Sequence, residues 1–222
     1  MKTLLFTISS NISRLLFGSR CADCQTPGPA ICQKCLNNIS LSDITEHDGI
    51  YGLYDYGNPL VSHSIWNLKY RHRGQEAKLL ASKASGEISE IVAEHLQSES
   101  PETIILVPVP QYKKKTQSRG FNQSEAIAEW MTKALANSRI ENVLEKIVET
   151  LPQSHIGDKK QRMRNIDGTM RATKQLDSKK IYIIIDDVTT TGATFLEATR
   201  ALRSSGARNI LCIALAHGYK RR

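Results

Sequence analysis

Residues 181–194 read IYIIIDDVTTTGAT, an apolar run that ends in two carboxylates and then a loop of hydroxyls around a single glycine. Ile181 to Ile185 are β-branched or aromatic with no polar alternation, the pattern of a strand buried on both faces of a parallel sheet. Strands of that kind deliver ligands at their carboxyl ends. At that end Asp186 and Asp187 can accept hydrogen bonds from a vicinal diol. In the loop that follows, Gly192 lets the backbone approach closely and turn its N–H groups toward an anion at the start of the next helix. A sugar phosphate satisfies both halves. A generic strand–turn–helix junction with an Asp or Thr cap is the plainer alternative, but it explains one acid or one hydroxyl and not two acids followed by four threonines.

Over its whole length the stretch resembles the signature of type I phosphoribosyltransferases. That resemblance implies that Asp186 and Asp187 hold the ribose 2′- and 3′-hydroxyls of phosphoribosyl pyrophosphate (PRPP). It gives the 5′-phosphate to Thr190, Thr191, Gly192, Ala193 and Thr194, and Mg2+ to the ribose hydroxyls and pyrophosphate. Purine-salvage members carry an Asp where Thr190 stands, so no carboxylate base for a purine ring is expected there.

The chain has 222 residues, 40% of them hydrophobic, enough for one α/β domain of ordinary size and a small appendage. Thirty Lys and Arg against 22 Asp and Glu give a formal net charge of +8, which favours polyanions or phosphorylated ligands but also occurs in many proteins that touch neither. The opening residues Met1 to Ile8 begin like an export signal. Asn11 and Arg14 interrupt the apolar region, however, and no small-residue cleavage site follows, so an amphipathic lead-in is expected. No apolar run approaches the roughly 20 residues needed to cross a bilayer. A soluble, cytoplasmic protein without a membrane span is the expectation.

Four of the five cysteines fall as Cys21-x-x-Cys24 and Cys32-x-x-Cys35. Each such turn aims two thiolates at one point, and two turns complete a tetrahedral all-sulfur site suited to structural Zn2+. Two disulfides, an iron–sulfur cluster or a redox dithiol are the alternatives, the first disfavoured by the missing export signal. So short a segment has no room for a core, and the metal would supply its folding energy. Cys212, inside the apolar run 210–216, reads as a small buried strand residue.

Two domains are expected, a lead-in and four-cysteine zinc segment over 1–47 and an α/β domain over 48–222. In the second, a tyrosine-rich strand or pair of strands over 48–56 precedes a helix over 61–70 and a long amphipathic helix over 75–97. Strands are expected at 103–109, 143–149, 180–185 and 209–216, with helices at 123–136 and 195–204 and a charged helix or loop over 158–165. Strands alternating with helices imply right-handed crossovers and a parallel sheet covered on both faces.

Two basic clusters follow the strands. After Val107-Pro-Val-Pro110 come Lys113, Lys114 and Lys115, then Ser118-Arg119-Gly-Phe-Asn-Gln123, where Asn122 is a good helix cap. The three lysines read as a solvated loop, whereas the Arg119 fork suits a pyrophosphate. Residues 153–165 carry charge without apolar periodicity, as a lid over a reacting centre would, or simply an exposed turn.

The order of these features resembles the ComF family, proteins linked to bacterial DNA uptake in competence. Its marks here are the four cysteines, Leu68-Lys69-Tyr70 before Gly74, Val107 to Pro110, Arg119 to Gln123, Arg162-x-x-Asn165 and Asp186 to Thr194, nearly the whole chain. Gln111, Lys115 and Met170 depart from the family's usual Leu, Arg and Phe. The resemblance implies an α/β, phosphoribosyltransferase-type parallel sheet that binds PRPP, with Arg119 on the pyrophosphate. It leaves two functions open. One is a phosphoribosyltransferase, with no acceptor pocket legible. The other is a non-catalytic PRPP or nucleotide binder that holds single-stranded DNA, working with DNA-uptake proteins, through the zinc segment and a basic aromatic surface. Tyr51, Tyr54, Tyr56, Trp66, Tyr70, Arg71 and Arg73 are candidates for that surface, each tyrosine also being ordinary strand packing.

Overall fold

Strand β6 (Ile181–Thr189) is the middle strand of a five-stranded sheet and carries the two acids within it. The computed structural model describes residues 20–29, 31–42, 49–71, 74–96, 103–112, 120–149 and 166–218. They fall in two compact units, Met1–Ser40 and Leu41–Arg222.

In the first unit the described regular element is α1 (Gln33–Asn38), which starts directly after Cys32 and carries Cys35 on a buried position. In the second, β1 (Ile50–Asp55), α2 (Pro59–Arg71), α3 (Gln75–Lys83) and α4 (Ser85–Leu96) lead to β2 (Ile104–Pro108). Then come α5 (Gln123–Met131), β3 (Ser138–Ile140), β4 (Leu144–Lys146), β5 (Met170–Ala172), β6, α6 (Ala193–Arg203) and β7 (Asn209–His217). The large sheet has the order β1-β7-β6-β2-β3 and every pairing in it is parallel. This is an α/β architecture built on a parallel sheet, as expected from the sequence.

Alternate residues of the central strands share one face. Ile105, Val107, Tyr182, Ile184, Cys212 and Ala214 pack with Phe195, Ala198, Ala201 and Leu202 of α6 and with Val143, Leu144 and Met170 beside the antiparallel β4–β5 pair. The intervening Leu106, Ile183, Ile185 and Ile213 are buried as well, so the non-alternating Ile run is covered on both sides as expected. Cys212 is buried in β7. The β4–β5 pair is fastened to α6 by side chains. Buried Glu197 accepts from the Met170 N–H (2.9 Å), and Arg200 donates to both the Met170 carbonyl (3.0 Å) and Glu197.

The path of the chain positions the site. From β2 the sheet is built outward through α5 to β3, and from β6 in the opposite direction through α6 to β7. The order of connection therefore reverses between β2 and β6, the place where open α/β sheets hold ligands. The pairing of β2 with β6 stops at Pro108 opposite Ile185, with one further bond from Val109 N to the Ile185 carbonyl (2.9 Å). Pro110 then has no N–H to extend the ladder. On its other edge β6 keeps pairing with β7 through Thr189 opposite His217. The acids therefore stay inside a strand that runs four residues further than the apolar run indicates.

Three other boundaries differ from the sequence expectation. The helix expected over 75–97 is two helices, α3 and α4, interrupted at Ala84 where Ser85 and Gly86, poor helix formers, follow. Helix α5 ends at Met131 rather than near 136, giving way to turns. The strand expected over 143–149 is only Leu144–Lys146 and belongs to the small antiparallel sheet. The basic stretch 113–119, with Arg119, and the lid expected within 153–165 lie outside the described residues.

Candidate functional site

A cleft of about 330 Å³ opens at the carboxyl end of β6, lined by Tyr56, Lys69 and the continuous run Asp186 to Phe195. The signature residues Asp186, Asp187, Thr190, Thr191, Gly192, Ala193 and Thr194 are all in its wall. The acids thus open onto a cavity and the threonine turn borders it, as a ligand site requires.

Each acid is held by a different element. Asp186 Oδ1 accepts from its neighbour's backbone N–H, Asp187 N, at 2.9 Å and from the Ser124 hydroxyl at 3.0 Å. Ser124 stands in the first turn of α5, where Asn122 caps the helix by accepting from Ser124 N (3.1 Å) and donates its own amide to the Val109 carbonyl (3.0 Å). The Asn-Gln-Ser stretch after Gly120 therefore starts a helix, ties it to β2 and hands a hydroxyl to the acid pair. Gln123 is buried beside it and accepts from the Gln111 amide, so Gln111 extends this polar cluster. Asp187 Oδ1 meets Lys69 Nζ of α2 at 2.9 Å.

The charges are unequal in consequence. Burial, with the neighbouring Asp187 charge second, pushes the Asp186 carboxyl up to about 7 against the opposing hydrogen bonds and the Lys69 charge. For Lys69 burial works against the charged form, but the charge and hydrogen bond of Asp187 more than offset it and raise the ammonium above its ordinary value.

The anion half of the cleft is built by α6. Its N-cap, Gly192, has φ +74°, and a Cβ there would come within 2.7 Å of Ile50 Cδ1, so both conformation and space call for glycine. Gly192 has no side chain with which to cap the helix, the Ala193 N–H makes a long bond of 3.4 Å to the Thr191 hydroxyl, and the first turn has no acidic residue. Its leading amides thus face the cleft with the positive end of the helix dipole behind them. Thr189 Oγ1, in the same wall, is buried with no hydrogen-bond partner among the described residues. A group with acceptor oxygens satisfies such a hydroxyl.

Sequence reasoning missed Lys69, Tyr56 and Ser124 as parts of this site. Lys69 and Ser124 sit in or next to the quoted motifs Leu68-Lys69-Tyr70 and Arg119 to Gln123, which was the available signal; their contacts with the acids come only from the fold. Of the residues suggested for a basic aromatic surface, Tyr54 is corrected. It is fully buried, its hydroxyl donating to the Leu80 carbonyl at 2.8 Å. Trp66 and Tyr70, by contrast, are 42% and 58% exposed on successive turns of α2, ring centroids 5.7 Å apart. Arg73 lies outside the described residues, as does the side chain of Arg71.

In the amino-terminal unit the sulfurs of Cys21, Cys24, Cys32 and Cys35 all lie within 4.8 Å of one another. A tetrahedral zinc–thiolate centre with bonds of about 2.3 Å spaces its sulfurs about 3.8 Å apart, so this cluster fits a metal such as zinc. Cys24 and Cys32 Sγ are already at 3.6 Å. Hydrogen bonding from Thr26, whose hydroxyl is 3.1 Å from Cys24 Sγ, brings the Cys24 thiol down to about 6.

With sheet and cleft in view, the domain is of the α/β class, a five-stranded parallel sheet with a ligand-sized cleft at the carboxyl end of its middle strand. Solved structures similar to it include a hypoxanthine phosphoribosyltransferase from Staphylococcus aureus (TM-score 0.38, 13% identity, 65% of this chain and 74% of that one). Another is phosphoribosylpyrophosphate synthetase from Mycobacterium smegmatis (TM-score 0.36, 16% identity, 61% and 33%). No protein-family model matches the chain. Among curated proteins it is 28% identical over 122 residues to competence protein F of Haemophilus influenzae, covering 54% of this chain and 52% of that protein. It is 25% identical over 202 residues to DNA utilization protein YhgH of Salmonella typhi, covering 86% of this chain and 81% of that protein. The chain thus matches about half the length of the first relative and most of the second. These similarities agree with the order of motifs: the chain is similar to competence protein F and to the DNA utilization proteins.

Proposed function

We propose that the cleft binds PRPP with Mg2+ and that the protein serves the handling of DNA taken up from outside, as the names of its relatives suggest for them. One observation carries the reading: an acid pair and the start of α6 share a single cavity. In it Asp186 and Asp187 take the ribose hydroxyls and the Thr190–Thr194 turn takes the 5′-phosphate, with Arg119 assigned to the pyrophosphate from its motif alone. The wall offers carboxylate, hydroxyl and backbone oxygens, donors of the kind Mg2+ takes. When bound with the ligand, the ion supplies positive charge to the pyrophosphate. If the protein is a transferase, the C1′–O bond breaks with its electron pair leaving on pyrophosphate, and an acceptor nucleophile bonds to C1′ and loses its proton. The protein's share is then positioning and charge.

Calorimetry with PRPP and Mg2+ tests the binding. Replacing both acids, Asp186→Asn with Asp187→Asn, should abolish it, and unchanged affinity sinks the reading. Pyrophosphate release with bases, amines or ammonia as acceptors identifies a transferase. Binding without release across that panel favours the non-catalytic reading.

That second reading is favoured by the exposed Trp66–Tyr70 pair on a chain of net charge +8, since bases of a single strand stack on such rings without sequence preference. Single-stranded DNA affinity should fall steeply as salt rises. Trp66→Ala should weaken it about tenfold, the scale of one stacked base. Flat salt dependence removes the DNA surface.

A further inference from the structure

Lys69 carries a charge into a cleft that is otherwise acidic on its β6 side. Among the described lining residues it is the one cation, facing the carboxylates of Asp186 and Asp187. Its Nζ is 2.9 Å from Asp187 Oδ1, the two side chains being 24% and 12% exposed. A strut between α2 and β6 is the plain account of such a pair. Ion pairs of this kind are poor struts, because desolvating both charges costs about as much as their attraction returns. This one also stands in the wall of the cavity rather than in packed core, and it ties up an acid that the ribose hydroxyls need.

The same ammonium sits at the end of a flexible four-carbon stem and shares its cavity with the amides of α6. We propose that Lys69 is an exchangeable counter-ion: in the resting cleft it masks Asp187 against divalent cations, and an entering sugar phosphate displaces it onto a ligand phosphate. One ion pair is traded for another, so neither charge is left buried and alone. Two adjacent carboxylates without this lysine are an oxygen-donor pair open to a hard divalent cation and repel a polyanion. The inference rests on the PRPP reading above, and it assigns to the cleft a selectivity for metal that arrives with the ligand over metal alone.

Lys69→Met keeps the apolar stem and removes the charge. Two bindings are then measured, Mn2+ alone by the loss of free-ion electron paramagnetic resonance signal, and PRPP with Mg2+ by calorimetry. The expected result is opposite movement: Mn2+ tightens about tenfold or more and PRPP weakens about tenfold or more, as removing a unit charge a few ångström away requires. Lys69→Arg, which keeps the charge, should leave Mn2+ weak. No gain for Mn2+ in Lys69→Met overturns the masking, and a gain without loss of PRPP overturns the exchange. Weakening of both ligands, the signature of a damaged fold, also counts against it. Wild-type protein that binds no PRPP overturns the function proposed above and the exchange together, whereas wild-type binding matched by Lys69→Met overturns the exchange alone.

Discussion

At the residue scale, the acid pair shows how burial converts a motif into chemistry. The ordinary Asp carboxyl titrates near 4, whereas Asp186 in the fold does so at about 7, chiefly through burial. Below about pH 4 the group is protonated folded or unfolded and has no effect on stability. As pH rises toward 7 only the unfolded chain ionises, so stability falls across that window, and above it the full penalty remains. Asp186→Asn should therefore melt higher than wild type, by a margin that grows from pH 5 to pH 8 in thermal scans, while losing PRPP. In wild type, PRPP affinity should rise with pH through about 7, because the ribose hydroxyls need an ionised acceptor; a flat profile by calorimetry removes this assignment. Gly192 is the second informative residue. Gly192→Ala should cost about 1 to 3 kcal/mol for the left-handed backbone, plus a clash with Ile50 Cδ1. Ile50→Val, which deletes that methyl, should recover part of the loss in denaturant titrations of the double variant, and no recovery would show the clash to be relieved otherwise.

At the element scale, the start of α6 lines the cleft, the start of α5 reaches its acid pair through Ser124, and the two do different work. Helix α5 is capped by Asn122 and lends Ser124 to Asp186. Helix α6 starts at Gly192, which has no capping side chain, and its first amide has only the long Thr191 hydroxyl contact. Asn122→Ala should destabilise the domain by about 1 to 2 kcal/mol, the range of a lost cap, measured by urea unfolding. Ser124→Ala should leave stability nearly unchanged and weaken PRPP by several-fold, because the donor that orients Asp186 is gone; an equal loss of both would make Ser124 only structural. The helix starts were legible in the sequence from Asn122 and from the Thr-Gly turn. Their difference in capping was not, since it depends on which side chain reaches which amide. The long helix expected over 75–97 breaks at Ala84 for a reason visible afterwards in Ser85 and Gly86, weak signals beside strong apolar periodicity on both sides.

At the scale of the whole molecule, each unit has its own source of stability. The sheet domain buries continuous apolar strands and helix faces, whereas among the described residues the cysteine unit has few buried apolar side chains, such as Ile31, Leu36 and Ile39. Metal is the expected substitute for a core there. Purified protein should carry one zinc per chain by mass spectrometry of metals, and chelation should raise hydrogen exchange at Cys21–Ile39 with the strands of the sheet still protected. Metal-free protein with unchanged protection in that segment would remove the structural metal. Among the described residues no helix is long and apolar enough to cross a membrane.

The sequence by itself determined the buried central strand, the acids and glycine turn at its end, and the paired cysteine turns. These are written in side-chain type and spacing over a few neighbouring residues, where periodicity, hydroxyls and thiols carry their meaning without the rest of the chain. Only the tertiary structure decided that Lys69 meets Asp187 and Ser124 meets Asp186, that β6 runs past its apolar residues, and that Tyr54 is buried while Trp66 and Tyr70 are exposed. Burial and charge pairing depend on residues brought together from distant parts of the chain, and no local pattern encodes which of them will meet.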